Sequence, residues 1–170
     1  MGFEIDSKRG VAVSYGVRTT NGKFGGQQST KNGVVKSAVW DFKYNDLPNY
    51  GSNGLQFTLP ANTTIVSAKL YVDVAFTSTS TTTDLDVGLY TAAGAAIAAT
   101  GLVTATEGVL ANLNAVGKRV FGAGALTAAA AGTAGVGAAD AFIGISTTGT
   151  FTAGRGRLIV EYIDPVADAV

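Results

Sequence analysis

The chain has no histidine and no cysteine among its 170 residues. That removes the commonest general base, the thiolate nucleophile and every zinc site built on sulfur. Carboxylates and guanidinium groups are left to do any chemistry. Asp84 and Asp86 alternate with Leu85 and Val87, so they share one face of a predicted strand, and Asp73 lies on the strand before it. Clustered carboxylates can hold Ca²⁺, but this spacing lacks the loop signature of a calcium site. A glycosidase pair needs two carboxyls about 5–9 Å apart across a cleft, and nothing in the sequence marks a cleft. Alternating acids are the ordinary covering of a solvated sheet face. The expectation is no catalytic residue, no metal and no cofactor.

Other candidates read the same way. Arg155 and Arg157 flank Gly156 and could grip a phosphate or carboxylate in bidentate fashion. They alternate with an apolar face, which makes them a row facing solvent or an interface. Trp40, Tyr44 and Tyr50 could form an aromatic platform for sugar, yet Trp40 shares the alternating apolar face of Ala38 and Phe42 and is expected in the core. Gly22–Gly26 lacks the lysine-serine/threonine ending of a phosphate loop. Serines are present, but without histidine they form no classical triad.

The elements that must position these residues are strands. Val34–Tyr44 alternates Ala38, Trp40, Phe42 and Tyr44 against Ser37, Asp41 and Lys43. Residues 45–54 carry the turn-forming types of a loop. Leu55–Leu59 reads as a strand, Pro60-Ala61-Asn62 as a corner, and Ile65–Phe76 as a long strand. From Val66 onward Val66, Ala68, Leu70, Val72, Val74 and Phe76 are expected on one face, opposite Ser67, Lys69, Tyr71 and Asp73. Asp84–Tyr90 follows as a strand after the polar stretch Thr77–Thr83. Ala92–Ala99 is read as a hairpin into a weak strand, and Gly101–Gly117 fits either a short helix or an irregular crossing. Lys118–Phe121, Ala141–Ser146, Thr150–Thr152 and Arg155–Ile163 are further strands. In the last of these Leu158, Val160 and Tyr162 oppose Arg157, Ile159 and Glu161. The Ala/Gly/Thr run Ala123–Ala139 is expected to be an irregular connection, because scattered glycines disfavour a helix.

About eight short strands without a sustained helical period predict an all-β, jelly-roll-like β-sandwich. An immunoglobulin-like sandwich fits the same spacing. The expected organisation is an extended basic N-terminal arm over residues 1–33, the sandwich over 34–164 and a C-terminal tail over 165–170. A chain of this length can bury about 70% of its unfolded surface without a disulfide or metal. Net charge is zero and charged residues are 14% of the chain, which speaks against nucleic acid or a membrane surface as a partner. The N-terminus lacks the apolar run of a signal peptide, and no segment is apolar for the length of a membrane-spanning helix.

Residues 1–33 hold Lys8, Arg9, Arg18, Lys23 and Lys31 against Glu4 and Asp6. In this stretch Val11–Val17 is the candidate strand. The five basic residues are the candidate partner-binding groups, in an arm that orders on a partner surface. Low charge, few reactive groups and long small-residue connections suit a component of an assembly.

Four segments carry a resemblance. Gly33–Pro48, Phe57–Phe76, Leu85–Tyr90 and Gly149–Ile163 resemble the small structural proteins of tailed-bacteriophage virions. The shared pattern is a leucine-proline-alanine corner before a long strand, an aspartate-valine-glycine-leucine strand, and a closing strand of the type TAGRGRLIVEY. The resemblance covers most of residues 33–163 and excludes residues 1–32 and 122–139. It implies a capsid decoration (cement) protein or head-fibre base with a jelly-roll-like domain, non-enzymatic and cofactor-free. It implies the major capsid protein as partner, self-association as a homotrimer, and a place on the capsid exterior after synthesis in the host bacterial cytoplasm. It carries over no active-site residue. The other reading of such a sandwich is a carbohydrate-binding or host-attachment module of a phage tail or head fibre, with exposed aromatics near Tyr44, Tyr50 or Tyr90.

Overall fold

A computed structural model describes residues 35–50, 58–127 and 135–163, and the backbone of three N-terminal strands. Those strands, β1 (Phe3–Asp6), β2 (Val11–Tyr15) and β3 (Gln27–Thr30), form an antiparallel sheet in the order β1-β2-β3. One of them, β2, matches the strand expected over Val11–Val17.

The remaining strands are β4 (Lys36–Lys43), β5 (Thr58–Leu59), β6 (Thr64–Ser78), β7 (Asp84–Tyr90), β8 (Ala96–Val103), β9 (Arg119–Phe121), β10 (Ala141–Thr148) and β11 (Phe151–Ile163). They form two four-stranded sheets, β4-β11-β6-β9 and β5-β10-β7-β8, called here the first and the second. The pairings are nested. β4 pairs with β11, β5 with β10, β6 with β9 and β7 with β8, all antiparallel. The chain is therefore one long folded ribbon whose successive rungs alternate between sheets, which is the jelly roll. An immunoglobulin arrangement places its first two strands in one sheet; β4 and β5 lie in different sheets, so the jelly-roll expectation holds and that alternative falls.

Alternation builds the core. Trp40 and Phe42 from β4, Leu70 and Phe76 from β6 and Leu158 from β11 meet Leu85, Leu89, Ile143 and Ile145 from the second sheet, all buried. Each such side chain contributes about 1.5–3 kcal/mol by leaving water. The aromatic rings of Trp40, Phe42, Phe76 and Phe151 follow one another with centroid separations of 5.6, 6.0 and 5.2 Å. Trp40 is core, as expected.

The corner also forms as expected. The Thr63 N–H donates to the Pro60 carbonyl at 3.2 Å, and Asn62 takes φ 60°, a conformation Asn tolerates. Asp140 Oδ1 accepts from the Ala61 N–H at 2.9 Å, which ties the corner to the approach to β10.

Several boundaries differ from expectation. The register of β6 against β11 is irregular toward both ends of β6. Tyr162 pairs with Ile65 while Glu161 pairs with Ser67, so Val66 is an extra residue. Gly156 pairs with Val72 while Arg155 pairs with Val74. Such bulges shift the side-chain phase. Ile65 takes the core place expected of Val66, which is 41% exposed, and Val74 is 50% exposed. Thr150–Thr152 and Arg155–Ile163 are one strand, β11, with irregular register near its start. The weak strand after Ala92 is β8. The ambiguous stretch after it holds the short helix α1 (Leu110–Leu113), with Leu113 buried and Val116 69% exposed. Tyr44–Asp46 is a single 3-10 turn instead of the end of a strand.

The two sheets are stitched together beyond β9. The Gly124 N–H donates to the Leu102 carbonyl at 3.3 Å, and the Leu126 N–H to the Gly101 carbonyl at 2.9 Å. A Cβ on Gly122 would stand 2.1 Å from the Leu102 carbonyl oxygen. The small residues at the start of the Ala/Gly/Thr run thus permit close backbone approach.

Candidate functional site

The surfaces left for function are the outer faces of the two sheets. On the first sheet the register sets Asp41 opposite Arg157. Arg157 Nε donates to Asp41 Oδ1 at 3.1 Å, and its Nη2 donates to Asp73 Oδ2 at 3.2 Å. The two carboxylates, Asp73 foremost, raise the Arg157 pKa further above its usual value. Arg155 reaches Asp41 at 3.9 Å. Further along the same face Glu161 accepts from Lys69 Nζ at 2.8 Å and from Ser67 Oγ at 2.5 Å. Those two hydrogen bonds, with Lys69 first, hold the Glu161 carboxyl below its ordinary range. The arginine row expected to meet solvent or a partner does face outward, and Arg157 is already occupied by two acids of its own sheet.

The second sheet is different. Its outer face carries Asp84, Asp86, Gly88 and Tyr90 from β7, opposite Thr148, Ser146, Gly144 and Phe142 from β10. Burial pushes the Asp86 carboxyl up, Asp84 and Glu107 push it further, and a hydrogen bond from the Ala105 backbone only partly offsets them. Asp84 Oδ1 and Asp86 Oδ1 are buried with no hydrogen-bond partner among the described residues. Glu107 instead accepts from the Thr104 N–H at 2.8 Å and its hydroxyl at 2.7 Å.

An aromatic lid lies beside these acids. Tyr50 stacks on Tyr90 with centroids 5.0 Å apart and planes 17° from parallel. The pair fits because position 144 is glycine; a Cβ there would stand 2.7 Å from the Tyr90 ring and 2.8 Å from Tyr50 Cβ. Tyr90 is 3% exposed and its hydroxyl is buried without a well-formed hydrogen bond. Burial raises the phenol pKa, and the nearby Ser146 hydroxyl opposes that rise without making a bond of good geometry.

The structure thus separates residues that the sequence grouped. Asp73 is on the first sheet, across the core from Asp84 and Asp86, so the three do not converge. Among the described residues no three His, Cys, Asp or Glu side chains are placed to hold a metal ion. Tyr44 is exposed on the turn after β4, apart from the stacked Tyr50–Tyr90 pair. The candidate partner-binding residues Lys8, Arg9, Arg18, Lys23 and Lys31 lie outside the described residues.

Sequence reasoning missed the segregation of charge. The basic side chains of the described sandwich, Lys36, Lys43, Lys69, Lys118, Arg119, Arg155 and Arg157, all lie on the first sheet or in the approach to β9. The second sheet and its flanking loops carry Asp84, Asp86, Glu107 and Asp140 and, among the described residues, no basic side chain. The signal was in the sequence, since no Lys or Arg occurs between Lys69 and Lys118.

No family model and no curated protein matches the chain. Two solved structures are similar to it, and both are bacteriophage capsid structures. A chain from the capsid of Ralstonia phage GP4 aligns with a TM-score of 0.50 and 22% identity, over 81% of this chain and 88% of that one. A chain from the acid-stable capsid of Helicobacter pylori bacteriophage KHP30 aligns with a TM-score of 0.48 and 18% identity, over 78% and 89%. At these identities the likeness speaks to the fold.

Proposed function

We propose that this chain is a non-enzymatic structural protein of a tailed-phage virion, a decoration protein that binds the outer surface of the major capsid protein shell and stabilises it. One observation carries the reading. The jelly roll aligns along most of its length with a chain of the Ralstonia phage GP4 capsid, at nearly equal coverage of both chains. The outer faces support it, since they offer ion pairs, small residues and half-exposed aromatics for contact. The basic region of residues 1–33, with Lys8, Arg9, Arg18, Lys23 and Lys31, would be the arm that reaches an acidic shell surface. Self-association as a homotrimer belongs to the same reading.

The test is co-sedimentation of the purified chain with heads that lack it. Saturable binding at a fixed ratio to the major capsid protein is the expected result, with added resistance of the heads to heat. A chain lacking residues 1–33 should keep a cooperative melt and bind less tightly. Absence of binding by the full chain would defeat the proposal.

The Tyr50–Tyr90 stack favours a second reading, a carbohydrate-binding or host-attachment module. An aromatic face beside carboxylates suits a sugar ring and its hydroxyl donors. A glycan array probed at high protein concentration would show binding lost in Tyr50→Ala; a blank array removes this reading.

A further inference from the structure

The segregation of charge between the two faces has a counterpart in exposed apolar groups. Phe121 is 60% exposed on β9, the edge strand of the first sheet. Val116 and Val74 stand at the same edge, because the Gly117 N–H donates to the Val72 carbonyl and the Val72 N–H to the Lys118 carbonyl. Arg119 lies between Val116 and Phe121 in the chain, exposed and without an ion pair among the described residues. An edge strand with large exposed apolar side chains and an arginine that has no ion pair among the described residues is built to be covered. On the opposite side of the sandwich Asp84, Asp86 and Glu107 share a face with no base among the described residues, and the deeply buried Tyr90 hydroxyl beside them has no well-formed hydrogen bond there.

We propose that copies of this chain associate head to tail, the basic and apolar β9 edge of one copy, through Arg119, docking on the acidic second-sheet face of the next at Asp84 and Asp86. The inference rests on the self-association included in the reading above and specifies how it occurs. Charge complementarity selects the occupant: the edge that needs a cover is basic, and the face that lacks counter-charge is acidic. The two patches are different surfaces of one molecule, so the contact is heterologous, and such contacts close into rings when the rotation per copy allows it. A self-complementary twofold contact would instead set like charges against each other.

Two variants of the full chain test this. Arg119→Glu removes the edge and leaves the acidic face; Asp84→Asn with Asp86→Asn does the reverse. The asparagine variant should melt no lower than the parent, because it removes the Asp86 charge that burial penalises and the like charge of Asp84 beside it, so loss of assembly in it is not loss of fold. Each variant alone should associate about tenfold more weakly in sedimentation equilibrium, the size expected for losing complementary charge. The parent should weaken between about 0.05 and 0.5 M salt as screening shortens the reach of its charges. Mixed together, the variants retain one good edge and one good face between them. The expected product is a one-to-one heterodimer and nothing larger. A mixture that stays monomeric, variants that assemble like the parent, or a parent monomeric at all concentrations would each overturn the inference. Head binding is measured on the same samples. Decorated heads with a monomeric parent would sink only the head-to-tail contact, while assembly without head binding would sink only the decoration reading.

Discussion

On the first sheet Arg157 sits between two carboxylates contributed by the strands on either side of it, while on the second sheet Asp84 and Asp86 each keep a buried oxygen without a partner among the described residues. Both faces rest on the same apolar core and are built by the same alternation. The difference is that the first sheet satisfies its charges by cross-strand register, and the second holds like charges together. A buried acceptor without a donor costs stability, of order 1–3 kcal/mol where burial is complete, and the half-buried carboxylates here cost less. A face that keeps such a cost is shaped by something other than the stability of the isolated domain.

The comparison can be broken first from inside. If the sheets differ only outside, matched core truncations should cost alike. Leu158→Ala on the first sheet and Leu89→Ala on the second should each lose about 2–5 kcal/mol in urea unfolding. A much smaller loss at Leu89 would mean that the second sheet is loosely packed as well as poorly neutralised.

Glycine substitutions come next. A Cβ on Gly88 would lie 2.1 Å from the Ala98 carbonyl oxygen, whereas one on Gly156 meets chiefly the far end of the Phe42 ring at 2.9 Å. Backbone cannot yield as a ring can. Gly88→Ala should cost about 1–3 kcal/mol, and Gly156→Ala less, as read from paired thermal melts.

Removing outer charges should sharpen the contrast with small effects of opposite sign. Arg157→Gln should destabilise by about 1 kcal/mol or less, since the pair is half-exposed. Asp86→Asn should stabilise at neutral pH.

Acidification provides the finest test. The folded pKa of Asp86 is raised above its ordinary 3.8, so its penalty is present at neutral pH, fades as pH falls through the raised value and is gone below the ordinary one. The Asp86→Asn variant should therefore melt above the parent at pH 7 and converge with it in acid. The folded pKa of Glu161 is lowered from its ordinary 4.5, so its contribution is complete above that value and is lost as pH falls through the depressed one. Glu161→Gln should melt below the parent at pH 7 and converge from the other side. Parallel curves for the two variants would show that neither carboxyl differs in acidity between the folded and unfolded chain.

Much of this fold was legible in the residues. The Leu59-Pro60-Ala61 corner, the buried row Leu158, Val160, Tyr162 and the core position of Trp40 follow from local types and period. The bulges at Val66 and Asp73 were not, because phase changes of this kind depend on the partner strand's register. The Arg157–Asp73 contact joins residues 84 apart on strands paired only by the return of the chain. Nor could the sequence tell that residues 79–83 carry the chain to the other sheet, which is why Asp73 was grouped with acids it never meets. Charge segregation needed the sheet order before its meaning appeared.

The nested pairing has a mechanical consequence. Lys36, at the start of the first strand of the jelly roll, pairs with Tyr162, near the end of the last. Tension applied through the two flanks of the domain would therefore open β4 from β11 one rung at a time, like a zipper, and not shear all rungs at once. Such a domain yields readily to stretching along its chain. It resists best when load enters through its broad faces, as it would in a layer pressed flat against a curved wall.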